Sequence, residues 1–219
     1  MIAIINYGLG NLGSIENMLD VLGERSVITN EKSEIANADK IILPGVGAYD
    51  AGMKNLSACG LADLIKEQAK KGKPVLGICL GMQLLGRSSE EGKLSGLGLI
   101  PFDNLKFDFD KRPGSEIFEN KQNEKVNCNL LKIPHMGWDV VEFKKHVPLI
   151  DGIEGKQRYY FVHSYHAVCD SLENVLMTCD YGYEFAAAVC KDNIYGVQFH
   201  PEKSHDFGMK ILKNFAEKC

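Results

Sequence analysis

Trp is almost missing from this chain, one residue in 219, and its seven Cys are odd in number and follow no pairing pattern. No C-x-x-C pair occurs and no Cys/His group has the spacing of zinc ligands, so a disulfide framework and a structural metal site are both excluded as expectations. No apolar run approaches the ~20 residues needed to cross a bilayer. Cationic excess is missing too. Lys and Arg number 25 against 29 Asp and Glu, for a net charge of −4, which gives no electrostatic footprint for nucleic acid or an anionic membrane. There are no internal repeats or low-complexity tracts. The opening Met1-Ile2-Ala3-Ile4-Ile5 lacks the charged start and long apolar centre of a signal peptide. The expectation is a cytoplasmic protein with reduced thiols and no metal or cofactor.

What is present suits a single globular domain spanning 1–219, long enough to bury a large core. Ile2–Ile5, Lys40–Leu43 and Val75–Ile78 are short, uninterrupted apolar runs of the kind that form buried parallel strands. Between them lie helical patterns at Ile15–Leu22, with Ser14 as N-cap and Gly23 as stop, and at Leu61–Lys71, with Gly72 past its end. Strand, helix, strand, helix, strand predicts an α/β fold with a central, mostly parallel sheet and helices on both faces. Gly8, Gly10 and Gly13 match G-x-G-x-x-G after a strand. A dinucleotide site would also want an acidic residue closing the second strand, where this chain has Thr29-Asn30. The alternative is a tight strand-to-helix loop.

After Arg87 the pattern changes. Asp110–Asn129 is polar and charged and reads as a surface excursion or insertion. Tyr159–His166 is aromatic and β-branched, a strand whose polar end can line a pocket. Asn174–Asp180 and Phe185–Lys191 read as further strands, and Phe207–Lys218 as an amphipathic helix with Ile211, Leu212 and Phe215 on its apolar face.

Two stretches carry chemistry. Gly77-Ile78-Cys79-Leu80-Gly81 has the form of a turn that exposes one nucleophile at the end of a strand. The following helix would turn its positive end toward Cys79 and favour the thiolate. The competing reading is an ordinary buried cysteine. A reactive thiol needs a base, and the base a group to orient it. His200 ends an apolar strand, Pro201 stiffens the turn, and Glu202 can reach back to the imidazole. A plain strand-ending turn is the alternative there.

Pro74-x-Leu-Gly-Ile-Cys79-x-Gly-x-Gln83 together with Gly196-Val-Gln-Phe-His200-Pro-Glu202 resembles the motifs of the class I, or triad, glutamine amidotransferases. Within that group, Pro44-Gly45-Val46-Gly47, Pro134-His135-Met136-Gly137-Trp138 and Phe161-Val162-His163-Ser164-Tyr165 resemble the glutaminase subunits of imidazole glycerol phosphate synthase. The resemblance covers nearly the whole chain. It implies that Cys79 attacks the side-chain amide of L-glutamine, with His200 as base and then acid and Glu202 orienting it. Leu80 and the Val46–Gly47 loop would donate N–H groups to the oxyanion, and Gln83, Ser164 and Tyr165 would hold the substrate's amino acid end. It also implies a heterodimer with a (β/α)₈-barrel cyclase subunit that receives the ammonia, with Asn11, His135, Trp138, Tyr160 and Lys203 at or near the interface. No nucleic acid or membrane partner is implied.

Two features depart from the family pattern: the length of the Asp110–Asn129 excursion, and Asp139 where Asn is common. A paralogous subunit feeding a surface-polysaccharide or flagellar sugar would share every motif above. A cysteine peptidase or other thiol hydrolase would share the Gly-x-Cys-x-Gly turn and the later His. Gln83 and the Pro44–Gly47 loop favour a small amide over a peptide. Gly45 and Gly47 give that loop the freedom to hold two peptide orientations, so the isolated chain is expected to be a weak glutaminase.

Overall fold

The computed structural model describes residues 1–118 and 131–219. In chain order it runs β1 (Ile2–Ile5), α1 (Leu12–Val21), β2 (Ser26–Thr29), α2 (Lys32–Asn37), β3 (Lys40–Leu43), α3 (Tyr49–Ala58), α4 (Leu61–Lys70), β4 (Val75–Ile78), α5 (Leu80–Leu85), β5 (Ser88–Ser89) and β6 (Phe102–Lys106). The second half gives β7 (His135–Phe143), β8 (Gln157–His163), β9 (Tyr165–Cys169), β10 (Val175–Asp180), β11 (Glu184–Lys191), β12 (Ile194–Val197) and α6 (His205–Lys218).

One sheet carries the molecule, in the order β2-β1-β3-β4-β12-β11-β10-β7-β8, with β9 pairing β11 and β6, and β6 pairing β5. From β2 to β12 the pairing is parallel. Beyond β12 it is antiparallel. The parallel strands are the apolar runs of the sequence, and their side chains alternate between two cores, as the two-residue period of a strand requires. Ile2, Ile4, Ile42, Leu76 and Ile78 pack with Ile15, Leu19, Ile211, Leu212 and Phe215 of α1 and α6. Ala3, Ile5, Ile41, Leu43 and Val75 pack on the other face with residues of α2 to α5.

Some local expectations shift. The first helix begins at Leu12 with Asn11 as its N-cap, so Ser14 lies inside the helix and caps nothing. Helix α3 is absent from the apolar pattern because Gly52 interrupts it. A Cβ at Gly52 would sit 3.1–3.3 Å from Leu84 and Leu80, so the glycine lets α3 close onto α5. The aromatic run Tyr159–His166 is two strands that break at Ser164. Of the Asp110–Asn129 excursion, the described part holds a short 3₁₀ turn at Ser115–Ile117, and 119–130 lie outside the described residues.

Gly8 and Gly10 have positive φ, and a Cβ at Gly10 would meet Pro44 and the Gly45 nitrogen at 3.4 and 3.5 Å. The glycines of G-x-G-x-x-G let this loop pack against the Pro44–Gly47 loop, in line with the tight-turn reading.

Candidate active site

Three adjacent parallel strands end together. β4 lies between β3 and β12, with Gly77 beside Leu43 and Ile78 beside Val197. Their carboxyl ends therefore deliver Gly45, Cys79 and His200 to one edge, where open α/β sheets bind their ligands. Cys79 sits on the turn from β4 to α5 with φ 54° and ψ −111°, a conformation that costs roughly 1–3 kcal/mol outside glycine. Two glycines permit that turn. A Cβ at Gly81 would lie 1.7 Å from the Leu43 carbonyl oxygen, and one at Gly77 would lie 2.7 Å from that of Gly81. The Cys79 N–H donates to Val197 O at 2.8 Å, which fixes the turn to β12.

His200 is 1% exposed and its Nδ1 lies 2.7 Å from Glu202 Oε1. The carboxylate only accepts, so Nδ1 carries the hydrogen and Nε2 is left for chemistry. Nε2 is buried without a hydrogen-bond partner. Burial alone would discharge this ring, but the Cys79 sulfur and the Glu202 carboxylate outweigh it and raise His200 to about 9. The site therefore favours an imidazolium beside Cys79, which is itself 7% exposed.

A cleft of about 290 Å³ opens over these groups and is lined by Cys79, Leu80, Val46, Gly47, Gln83, Ser164, Tyr165 and His200. Each of the residues expected in the oxyanion and substrate roles lies on it. Glu91, Pro134, Val162 and His163 line it as well. Gln83 is buried and its Nε2 donates to Tyr165 O at 3.2 Å and Gln198 Oε1 at 3.1 Å. Gln198, fully buried, also reaches Cys79 Sγ at 3.8 Å.

The N–H groups expected to serve an oxyanion are not aligned. Leu80 N–H donates to Gly45 O at 3.3 Å. The Gly45–Val46 peptide is trans, so its N–H points opposite to its carbonyl, away from the cleft. In this conformation the space for an oxyanion is filled by a carbonyl oxygen. Turning that one peptide over would replace the acceptor with the Val46 N–H and free Leu80 N–H. Its neighbours constrain where the turn occurs. Pro44 O is held by the Tyr7 hydroxyl at 2.7 Å, and Gly47, at φ +110°, can absorb the change. A Cβ at Gly45 would meet Tyr7 Oη at 2.3 Å, so only glycine fits there.

Sequence reasoning gave no role to Tyr7, Glu91 or Gln198. Gln198 lies inside a quoted motif, and its spacing from His200 was the available signal. Tyr7 and Glu91 reach the site from loops, and no local pattern points to them. Glu91 is held where it is by its Oε2 accepting Tyr49 N–H at 2.9 Å, while Asp50 accepts the N–H groups of Lys93 and Leu94 at 2.9–3.0 Å.

Around the cleft, β7 and β8 pair with Trp138 beside Tyr160. Trp138 is 40% exposed, stacks with His205 at 5.6 Å and lies under Arg158 at 5.6 Å. Lys203 lies over Tyr160 at 5.8 Å. Asn11 is exposed at the start of α1, which packs on the Pro201–Lys203 turn. Met136 and Val140 continue the exposed face of β7. His135 is the exception among the residues expected at the interface. The strand's alternation turns it inward, where it is 1% exposed and bonded to His163 and Asp139, so its side chain offers no surface to a partner here.

A family model described as glutamine amidotransferase class-I matches residues 3–219. Over the whole of both chains, the sequence is 49% identical to imidazole glycerol phosphate synthase subunit HisH 2 of Methanococcus maripaludis. It is 45% identical to the subunit of the same name from Pseudomonas aeruginosa, covering 99% of each chain. Among solved structures it resembles PurLQS from Thermotoga maritima, with a TM-score of 0.68 at 19% identity over 98% of this chain and 96% of that one, a likeness of fold. Since the family model spans nearly the full length and the identities extend from end to end, the chain belongs to the class I glutamine amidotransferases and, within them, to the HisH subunits of imidazole glycerol phosphate synthase.

Proposed function

We propose that this chain hydrolyses L-glutamine to glutamate and ammonia and hands the ammonia to a cyclase partner that makes imidazole glycerol phosphate and aminoimidazole carboxamide ribotide in histidine biosynthesis. The observation that carries the chemistry is the His200–Glu202 pair, buried together at the strand edge where Cys79 stands and opening on a cleft sized for one amino acid.

Cys79 as thiolate attacks the side-chain carbonyl carbon, and the C=O electron pair moves onto oxygen. Leu80 N–H and, after the peptide turns, Val46 N–H stabilise that oxyanion, each donor being worth about 3 kcal/mol. The His200 imidazolium gives its Nε2 proton to the departing nitrogen, so neutral ammonia leaves and a thioester remains. His200 then takes a proton from water as the water attacks the thioester, and glutamate leaves with Cys79 restored. Glu202 keeps Nδ1 protonated throughout. Gln83, Ser164 and Tyr165 hold the amino acid end, and the Glu91 carboxylate on the cleft wall suits its ammonium group.

The hand-off calls for a second subunit. Exposed Trp138, Lys203 and Asn11 with half-buried Tyr160 have the composition of an interface anchor, and the reading assigns them a (β/α)₈-barrel cyclase in a cytoplasmic heterodimer. The whole of 1–219 serves as one amidotransferase domain without a cofactor. The closed oxyanion site makes the free chain a poor glutaminase, which the partner and its ligand would activate by turning the Gly45–Val46 peptide.

The test is labelling of the complex with 6-diazo-5-oxo-norleucine. Covalent label on Cys79, found by peptide mass spectrometry, supports the reading, and no label with or without a cyclase partner would sink it. A second acceptor, a surface-polysaccharide or flagellar sugar amidated through a paralogous partner, would use the same glutaminase site. Affinity capture from the native host separates the two by the identity of the bound cyclase. A peptidase would instead cut casein or a peptide library.

A further inference from the structure

A line of hydrogen bonds runs behind the cleft from β7 to the nucleophile. Asp139 Oδ2 lies 2.9 Å from His135 Nε2, His135 Nδ1 lies 3.0 Å from His163 Nε2, and His163 Nδ1 lies 2.8 Å from the Tyr165 carbonyl oxygen. That carbonyl also accepts from Gln83 Nε2, which donates in turn to Gln198, whose Nε2 reaches Cys79 Sγ. Strand register creates the line, because β7 and β8 pair with His135 beside His163.

The hydrogens in its first three links can be counted, since each link needs one. A carbonyl supplies none, so the link to Tyr165 requires a hydrogen on His163 Nδ1. The Asp139 side chain is 38% exposed, as an ionised carboxylate prefers, and also supplies none. That link requires a hydrogen on His135 Nε2. The middle link takes a third. Two neutral imidazoles hold two hydrogens between them, and in that state two lone pairs would face each other at 3.0 Å. One ring therefore carries an extra proton. Complete burial, reinforced by His135, pushes His163 well below the ordinary histidine value, so the proton does not rest there. The rings around His135 suit a cation: Tyr181 stacks at 4.0 Å and Phe161 at 4.8 Å.

We infer that His135 is a buried imidazolium held by Asp139, and that the two are positioning residues that fix the Tyr165 carbonyl, and through it Gln83, beneath the substrate's amino acid end. Titratable groups face this pair from several elements. His163 of β8 and Tyr181 of the turn before β11 face His135, and Cys179 of β10 lies by Asp139. His166 of β9 and His200 stand behind His163. The Asp139 carboxylate is the one bonded to the ring, which ties the charge of His135 to the acid at this position. With Asn there, an amide N–H could donate to an unprotonated Nε2 and the line would close with both rings neutral.

The effect on substrate binding rests on the glutaminase reading, whereas the proton count does not. Nitrogen-15 NMR of the histidine-labelled chain at neutral pH should show imidazolium shifts at both ring nitrogens of His135 and a neutral His163 with its hydrogen on Nδ1. Asp139→Leu in the cyclase-bound enzyme should raise KM for glutamine about tenfold, the equivalent of one hydrogen bond, with kcat changed much less. Asp139→Asn should recover most of that KM while the imidazolium signature disappears. A neutral His135 in the wild-type spectrum overturns the proton assignment. An unchanged KM in Asp139→Leu overturns the positioning role. A failure of the glutaminase reading would instead show as no turnover in the wild type, with the spectrum still deciding the state of His135.

Discussion

The parallel and antiparallel halves of the sheet meet the cleft in different ways. In β1, β3, β4 and β12 every residue but Lys40 is buried, and the strands carry almost no polar side chains. That half contributes its ends: the Cys79 turn, the Pro44–Gly47 loop and the Gln198–His200 segment. β7 and β8 alternate buried and exposed positions, with His135, Tyr159, Phe161 and His163 turned inward and Trp138 and Tyr160 turned outward. In the proposed function the first half holds the reacting atoms through backbone geometry, and the second supplies the substrate wall and the docking face through side chains. Damage to the first should therefore act on kcat and folding, and damage to the second on KM and partner affinity.

The largest effect sought on the parallel side is Cys79→Ala, which should cut glutamine hydrolysis by the complex by roughly 10⁴-fold or more, read as glutamate release. Residual activity within tenfold of wild type would mean that the nucleophile lies elsewhere. Glu202→Gln comes next and should lower kcat about 10²–10⁴-fold by releasing the His200 tautomer. It also tests the electrostatics. His200 is raised to about 9, so its charged form persists through neutrality and the alkaline limb of the wild-type profile should fall near pH 9. Glu202→Gln removes one of the groups that raise it and should move that limb to lower pH. The stability sign follows from the same shift. Protonation of His200 stabilises the fold fully below about pH 6.5, and that contribution disappears as pH rises through about 9.

Gly81→Ala separates geometry from chemistry. Its Cβ would sit 1.7 Å from Leu43 O, so the turn must shift, at a cost of about 3 kcal/mol, seen as a lower Tm. Gly13→Ala is the control, since nothing lies within 4 Å of its Cβ and the residue is helical. It should raise stability by about 0.5–1 kcal/mol. On the antiparallel side, Trp138→Ala should weaken cyclase binding by tenfold or more, about 1.4–2 kcal/mol, while Tm stays within a degree or two. Calorimetric titration with the cyclase would show it, and unchanged affinity would place the docking face elsewhere.

The same division governs what could be read from the sequence. Buried parallel strands announce themselves as apolar runs, and Gly77–Gly81 carries its own reason for each glycine, so β1, β3, β4 and the Cys79 turn were legible. The antiparallel continuation was not, because pairing direction beyond β12 depends on connections that local composition does not encode. Helix α3 was hidden by Gly52, a packing glycine that imitates a breaker. The family motifs located Gln83, Ser164, Tyr165 and His200 on the cleft, but the conformation of the Gly45–Val46 peptide is a property of contacts with Leu80 and Tyr7 and leaves no mark in composition. The inward turn of His135 was hidden for a related reason. A motif beside an exposed Trp suggests surface, whereas the strand's two-residue period puts alternate positions on opposite faces.

The central claim is that this site is a glutaminase whose oxyanion donors are misaligned until a partner turns one peptide. Steady-state glutamate release from the purified chain alone, then with the cyclase subunit and its ligand, tests it most directly. The expected result is feeble turnover alone and a rise of at least 10²-fold in the liganded complex, the scale of one oxyanion donor. Full turnover by the isolated chain, or none in the liganded complex, would contradict it.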